Sequence, residues 1–269
     1  MARSVDISSR DEIRILVRNC AHGSSTYLIE VLDQAGSLRS IRKSSTAAGG
    51  RADLRREVTG VRWYNERCDS RLVLEVERDD SSYVAIRYAA LIGPKASYRL
   101  GYYRNRPAIE SIITHYCDIW GPETGGLMEG DRTALHGDLS LDNVIFVGAE
   151  PVILDWEHFA PKGAPVGFDA LYLLFECLWF EQRRIGLRRG SMEHIAKMIG
   201  VLRSRECIDS TLVDYPLQSI VEFIRNHSHL WGPQLVAFPS KLPILLLGSD
   251  AIAKIDTEVR RLATKSGGK

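Results

Sequence analysis

Five polar residues, His136, Asp138, Asn143, Asp155 and Glu157, fall within one window of the chain. Carboxylates and an amide at one point offer hard oxygen donors, the set that suits Mg²⁺, and leave one carboxylate for proton transfer. The residues between them decide whether they meet. Val144-Ile145-Phe146 and Val152-Ile153-Leu154 are short apolar runs, rich in β-branched side chains, on either side of a turn at Gly148. That pattern reads as a strand-turn-strand unit. A hairpin brings its two ends together, so Asp138, Asn143 and Asp155 are expected to converge.

Other elements must position this hairpin. Upstream, Ile13–Val17, Tyr27–Leu32, Ser37–Lys43, Leu72–Val76 and Tyr83–Tyr88 carry strand character and are separated by turn residues. They predict a five-stranded antiparallel sheet. Alternation along the third strand puts Ile41 and Lys43 on one face and Arg42 on the other; a slip of one residue would exchange the two cations. Ser44–Arg51 reads as a small-residue linker, and Leu54, Val58 and Val61 give helical spacing from Ala52 to Arg67. Downstream, helices are expected from Pro107 to Trp120, from Phe168 to Glu181, over Met192–Arg203 and Tyr215–Ile224, and from Pro243 to Ala263. His158–Gly167, rich in Pro and Gly, reads as irregular. The fold class is therefore α+β, with the sheet and one helix over 1–92 followed by a larger, mostly helical part over 93–269.

Bulk properties bound the function. The chain has 269 residues, 45% apolar and 26% charged, with a formal net charge of +1. This is ordinary globular composition, with no basic excess that calls for nucleic acid. Leu242–Leu247 and Ala170–Phe175 are the longest apolar runs, far short of the about 20 residues of a membrane span. Met1–Asp6 lacks the apolar stretch of a secretory signal. The five cysteines are widely spaced and never form Cys-x-x-Cys, so they read as thiols in a reducing cytoplasm.

His136-x-Asp138-x-x-x-x-Asn143, followed by Asp155-x-Glu157, resembles the catalytic segment of the aminoglycoside phosphotransferase and choline kinase group, small-molecule kinases of protein-kinase-like fold. The resemblance implies a bilobal fold, with an N-terminal nucleotide-binding lobe over 1–92 and a C-terminal catalytic and acceptor-binding lobe over 93–269, and ATP (or GTP) and Mg²⁺ as cofactors. It implies that Asp138 orients or deprotonates an acceptor hydroxyl and that Asn143 and Asp155 hold the metal, with Glu157 assisting. His136 and Asp169 would brace the catalytic loop. Lys43 would meet the α- and β-phosphates, held there by Glu57. The small-residue turn containing Ser24, Ser25 and Thr26 would cover the phosphates. Ile41, with Ile15 and Ile86, would line the base site, next to a hinge at Ala89–Pro94.

The acceptor is expected to be a small hydroxyl compound. Thirteen residues separate Asp155 from Asp169, with no Ala-Pro-Glu, and Gly137 stands where protein kinases carry Arg. His158–Lys269 holds 15 Lys/Arg against 11 Asp/Glu, which favours a neutral or anionic acceptor over a polycationic aminoglycoside. The alternative is a kinase-like nucleotide-binding or regulatory module that has lost the reaction.

Overall fold

The computed structural model describes residues 12–19, 25–33, 35–68, 72–96, 101–121, 131–231 and 243–266. Five strands form one antiparallel sheet: β1 (Glu12–Asn19), β2 (Ser25–Leu32), β3 (Leu38–Ser45), β4 (Leu74–Asp79) and β5 (Val84–Ala89), in the order β1-β2-β3-β5-β4. Edge strand β4 is blunted by charge, with Glu75, Glu77 and Arg78 along it.

Helix α1 (Ala48–Asn65) crosses this sheet. The expected linker does not exist: β3 runs to Ser45, and α1 begins at Ala48 rather than Ala52. The small residues serve close packing instead. A Cβ on Gly50 would stand 2.4 Å from Ser45 Oγ, so the first turn of α1 lies directly on the end of β3.

The rest is mostly helical. It contains α2 (Gly101–Trp120), α3 (Phe168–Ile185), α4 (Arg189–Ser204), α5 (Pro216–Asn226) and α6 (Ser249–Ser266). Helix α2 starts six residues before Pro107, the expected boundary. Pro107 is tolerated because it lies on the exposed side of the helix, next to solvent-facing Tyr103 and Arg104. The expected helix from Pro243 is instead a short 3₁₀ turn over Pro243–Leu246 followed by α6.

Two small ladders lie between α2 and α3 in the chain. One pairs β6 (Arg132–Leu135) with β9 (Ala160–Pro165); the other is the hairpin of β7 (Val144–Val147) and β8 (Glu150–Ile153). Strand β9 lies in the segment expected to be irregular. Its prolines stand at positions 161 and 165, and Thr133 pairs with Ala164. Gly163 permits the approach, since a Cβ there would be 2.4 Å from Leu135 Cβ.

An aromatic cluster sets the position of α1. Trp120 and Trp156 stack with centroids 6.1 Å apart, and Trp63 of α1 meets both, at 4.9 and 5.8 Å. Each such pair is worth about 1 kcal/mol beyond its burial. Gly60 lets the helix settle on Trp156, because a Cβ would lie 2.8 Å from that residue's Cβ. Residue 156 directly follows Asp155, so this packing also sets the distance from α1 to the hairpin mouth.

Candidate active site

The loop after β6 is held from behind by α3. Asp169, in the first turn of that helix, accepts backbone N–H bonds from His136 (2.8 Å) and Gly137 (2.9 Å). Burial pushes its carboxyl up to about 7, against the pull of those two donors. His136 is fully buried, and burial lowers its imidazole to about 4, so the ring is neutral. Its partners set the tautomer. Nε2–H donates to the Leu154 carbonyl at 2.9 Å, which leaves Nδ1 to accept the Asp138 N–H at 3.2 Å. His136 thus links the loop after β6 to the strand end that leads to Asp155.

Gly137 has φ +87, and a Cβ there would be 2.7 Å from His158 Cβ. A side chain at this position meets both backbone strain and a clash. The Gly137 carbonyl accepts the indole N–H of Trp231 at 2.6 Å. Just beyond β8, Asp155 takes the left-handed conformation at φ +64, an uncommon state for a residue other than glycine.

The hairpin brings the polar residues together. Asn143 Nδ2 donates to the Asp138 carbonyl at 2.9 Å and to Asp138 Oδ2 at 3.0 Å. Asp138 is half-buried. Burial first, then the charges of Glu176, Asp155 and Glu157, raise its carboxyl well above the usual range; the Asn143 bond opposes them.

Lys43 reaches this point from β3. Its Nζ donates to Glu57 Oε1 at 2.6 Å and to Asp155 Oδ1 at 2.5 Å. Burial disfavours its charge, but Asp155, Glu57 and Glu157 outweigh burial and raise it. Arg42 points to the opposite face, where it and Arg87 both pair with Glu77. The register therefore places Lys43 inward. Glu157 is pushed up to about 8 by burial and by neighbouring Asp155, with Lys43 opposing. Its main-chain carbonyl accepts Arg56 Nε of α1 at 2.8 Å, and Arg56 also pairs with Asp53.

A cavity of about 480 Å³ opens between the sheet and the hairpin. Ile41, Lys43, Glu57, Tyr88, Asn143 and Asp155 line it, with Leu28, Leu72, Leu91, Ile145 and Leu154 as its apolar part. Ile86 neighbours Lys43 across the ladder but is sealed in the core. Ser24 and the side chains of Ser25 and Ile15 lie outside the described residues. The chain after β5 closes one wall. Phe146 N–H donates to the Pro94 carbonyl at 3.0 Å, and Lys95 bridges to Ile145.

Among the expected residues, Ile41, Lys43, Glu57, Asn143 and Asp155 share the cavity, and Asp138 sits against Asn143. His136 and Asp169 lie behind the loop. Several participants escaped sequence reading: Arg56, Tyr88, Glu176 and Trp231. Tyr88 stands opposite Ile41 in the ladder, so the strand pairing register was the signal needed to find it. Trp231 carried no signal, since its partner is a backbone carbonyl far away in the chain. Arg183, Arg184, Arg188 and Arg189 are exposed at the α3–α4 corner, where Arg189 pairs with Glu193 and Arg183 lies over Trp179.

No family model matches this chain, and no curated protein matches it. Several solved structures are similar to it. One is amicoumacin kinase hAmiN in complex with AMP-PNP, Ca²⁺ and Ami, at 15% identity and TM-score 0.47, covering 94% of this chain and 88% of that one. Another is the streptomycin–ATP–APH(2")-IIa ternary complex, at 12% identity and TM-score 0.42, covering 72% and 85%. A third is a Plasmodium vivax ethanolamine kinase, at 11% identity and TM-score 0.45, covering 96% and 83%.

Proposed function

We propose that this chain is a small-molecule kinase, moving the γ-phosphoryl group of ATP or GTP to a hydroxyl of a small acceptor. One observation carries the reading. A half-buried lysine is held between Glu57 and Asp155 inside a cavity of about 480 Å³, with Asn143 clamped on Asp138 beside it. Positioning and charge stabilisation are what phosphoryl transfer requires of a protein.

The residues divide the work. Lys43 binds the α- and β-phosphates, and Glu57 keeps its ammonium aimed at them. Ile41 and the apolar wall receive the base, and the segment with Ser24 and Ser25 covers the phosphates. Asp138 accepts the hydroxyl proton as the new P–O bond forms, and Asn143 fixes its carboxylate.

The donor set fits Mg²⁺. Among the described residues no group of three His, Cys, Asp or Glu forms a metal cage, and Mg²⁺ usually takes one or two protein oxygen ligands plus phosphates. Asn143 uses its N–H₂ on Asp138, so its carbonyl oxygen is the donor, with Asp155 as carboxylate and Glu157 in support. Bound there, the metal would neutralise charge on the phosphate oxygens.

A small acceptor suits the segment after Asp155. Residues 160–165 are taken into the β6–β9 ladder, and Ala164 and Val166 are buried, so that stretch offers no peptide platform. The two lobes divide near residue 92, nucleotide on one side and acceptor on the other. No described helix is long and apolar enough to cross a membrane; the reading places the enzyme in the cytoplasm.

Thermal unfolding with and without Mg²⁺ and ATP or GTP tests the site, on wild type and Asp155→Asn. Ligand at 100 times its Kd adds about 2.7 kcal/mol, a shift of several degrees at this size. The expected result is a metal-dependent shift that Asp155→Asn loses. No shift with either nucleotide overturns the reading. A shift without ADP release on any sugar or amino alcohol favours the binding module.

A further inference from the structure

We infer that Tyr88 is a positioning residue, whose hydroxyl holds the Glu57 carboxylate against Lys43. The inference rests on the kinase reading and adds to it a residue that no motif marks. Glu57 is almost fully buried, at 1% exposure. Its Oε1 accepts both Lys43 Nζ (2.6 Å) and the Tyr88 hydroxyl (2.7 Å). Its Oε2 is buried with no hydrogen-bond partner among the described atoms. Among the described residues both donors therefore act on one oxygen, and one of the two is the phenol. A buried carboxylate is expensive to leave under-bonded.

The strand register explains the arrangement. Ile41 pairs with Tyr88 and Lys43 with Ile86 across the β3–β5 ladder, so Tyr88 and Lys43 share one face, diagonal to each other. The Tyr88 ring lies 5.9 Å from Lys43 Nζ and lines the same cavity. Among the described residues the basic groups around Glu57 leave it no substitute donor. Asp155 competes for Lys43. Arg56 points to the Glu157 carbonyl and Asp53. Without the phenol, Glu57 depends on Lys43 alone, while Lys43 retains Asp155. The lysine is then free to lean toward Asp155 and away from the phosphates.

Tyr88→Phe keeps the ring and removes only the hydroxyl. Isothermal titration with Mg²⁺ and ATP is the first readout. The expected result is a several-fold rise in Kd for Tyr88→Phe and for Glu57→Gln, with the double variant no worse than Glu57→Gln. Equal affinity of Tyr88→Phe and wild type, or multiplied effects in the double variant, overturns the inference. Once an acceptor is known, Tyr88→Phe should raise the KM for nucleotide and leave the KM for acceptor alone, a split that loosened packing would not produce. Urea unfolding of the same four proteins without nucleotide is the second readout. Coupling between the two sites of tenfold or more in the unfolding constant supports the contact even if nucleotide binding fails, so the two readings fail separately. Additive effects there overturn the inference.

Discussion

Asp138 joins two demands that pull against each other. As the base of the proposed kinase it would have to be ionised to take a proton, yet burial and the charges of Glu176, Asp155 and Glu157 favour its neutral form. The Asn143 N–H₂ bond at 3.0 Å favours the ionised form and fixes the orientation of the carboxylate. Replacing the carboxylate should therefore affect turnover more than binding. Asp138→Asn is expected to lower kcat by about 10² to 10⁴, the usual worth of a positioned base, with nucleotide affinity unchanged within a few-fold. Steady-state kinetics together with nucleotide titration checks this; an equal loss in both would make Asp138 a scaffold residue. Lys43 shows the opposite economy. It neutralises Glu57 and Asp155 at once, so Lys43→Ala leaves carboxylates uncompensated. The expected cost is about 3 kcal/mol of stability in addition to lost nucleotide affinity, read by urea unfolding. Unchanged stability would mean the acidic cluster is solvated enough to need no cation.

The loop between β6 and the hairpin carries no regular structure of its own, apart from a 3₁₀ turn at Leu141–Asn143. Its shape is imposed by side chains from other elements: Asp169 of α3, Trp231, and His158 packed on Gly137. Gly137 is the position where these constraints leave no room. Gly137→Ala adds a Cβ at φ +87 and 2.7 Å from His158 Cβ. It is expected to destabilise the fold by about 1 to 3 kcal/mol and to displace Asp138, with kcat falling more than nucleotide affinity. Wild-type unfolding and kinetics in this variant would show that the loop relaxes elsewhere. Helix α1 is positioned in the same way from outside. Trp63 in the aromatic cluster and Arg56 on the Glu157 carbonyl tie it to the segment just past Asp155. Glu57 comes to Lys43 because the whole helix is docked there.

At the scale of the molecule, the site is a concentration of buried acid that the ligand-free fold must tolerate. Glu157 is raised to about 8, chiefly by burial and Asp155. A carboxyl raised in the folded state contributes stability that is present below its unfolded value, near 4.5, and is lost as pH rises through about 8. Asp169, raised to about 7, acts in the same direction over a narrower window. His136 acts in reverse: lowered to about 4, it contributes stability above 6.5 that is lost as pH falls through about 4. The ligand-free protein should therefore lose Tm between pH 6.5 and 8.5, and Glu157→Gln should flatten that slope. Parallel slopes for the two proteins would show that Glu157 is solvated and ionised throughout. Saturating Mg²⁺ and nucleotide should shrink the same slope in the wild type, because a cation beside Asp155 favours ionised carboxylates.

Local pattern determined a large part of this protein. Period-two runs and turn residues specified the five strands of the antiparallel sheet, and helical spacing identified most of the helices, because both signals repeat over a few residues. The hairpin between Asn143 and Asp155 was legible for the same reason, and with it the meeting of those two residues. Strand parity put Ile41 and Lys43 on a common face, but only the pairing with β2 and β5 excluded a slip that would have turned Arg42 inward. The tertiary structure decided everything that depends on partners distant in the chain. Ser44–Arg51 looked like a linker because small residues mark both loops and close helix–sheet contacts, and the neighbour that separates the two cases is Ser45 under Gly50. Strand β9 was hidden by its prolines, and its partner β6 lies more than twenty residues earlier. Tyr88 on Glu57, Arg56 on the Glu157 carbonyl and Trp231 on the Gly137 carbonyl are single long-range hydrogen bonds. Such bonds leave no periodic trace in a sequence, since each needs one donor at one place and the packing of the whole molecule to bring it there.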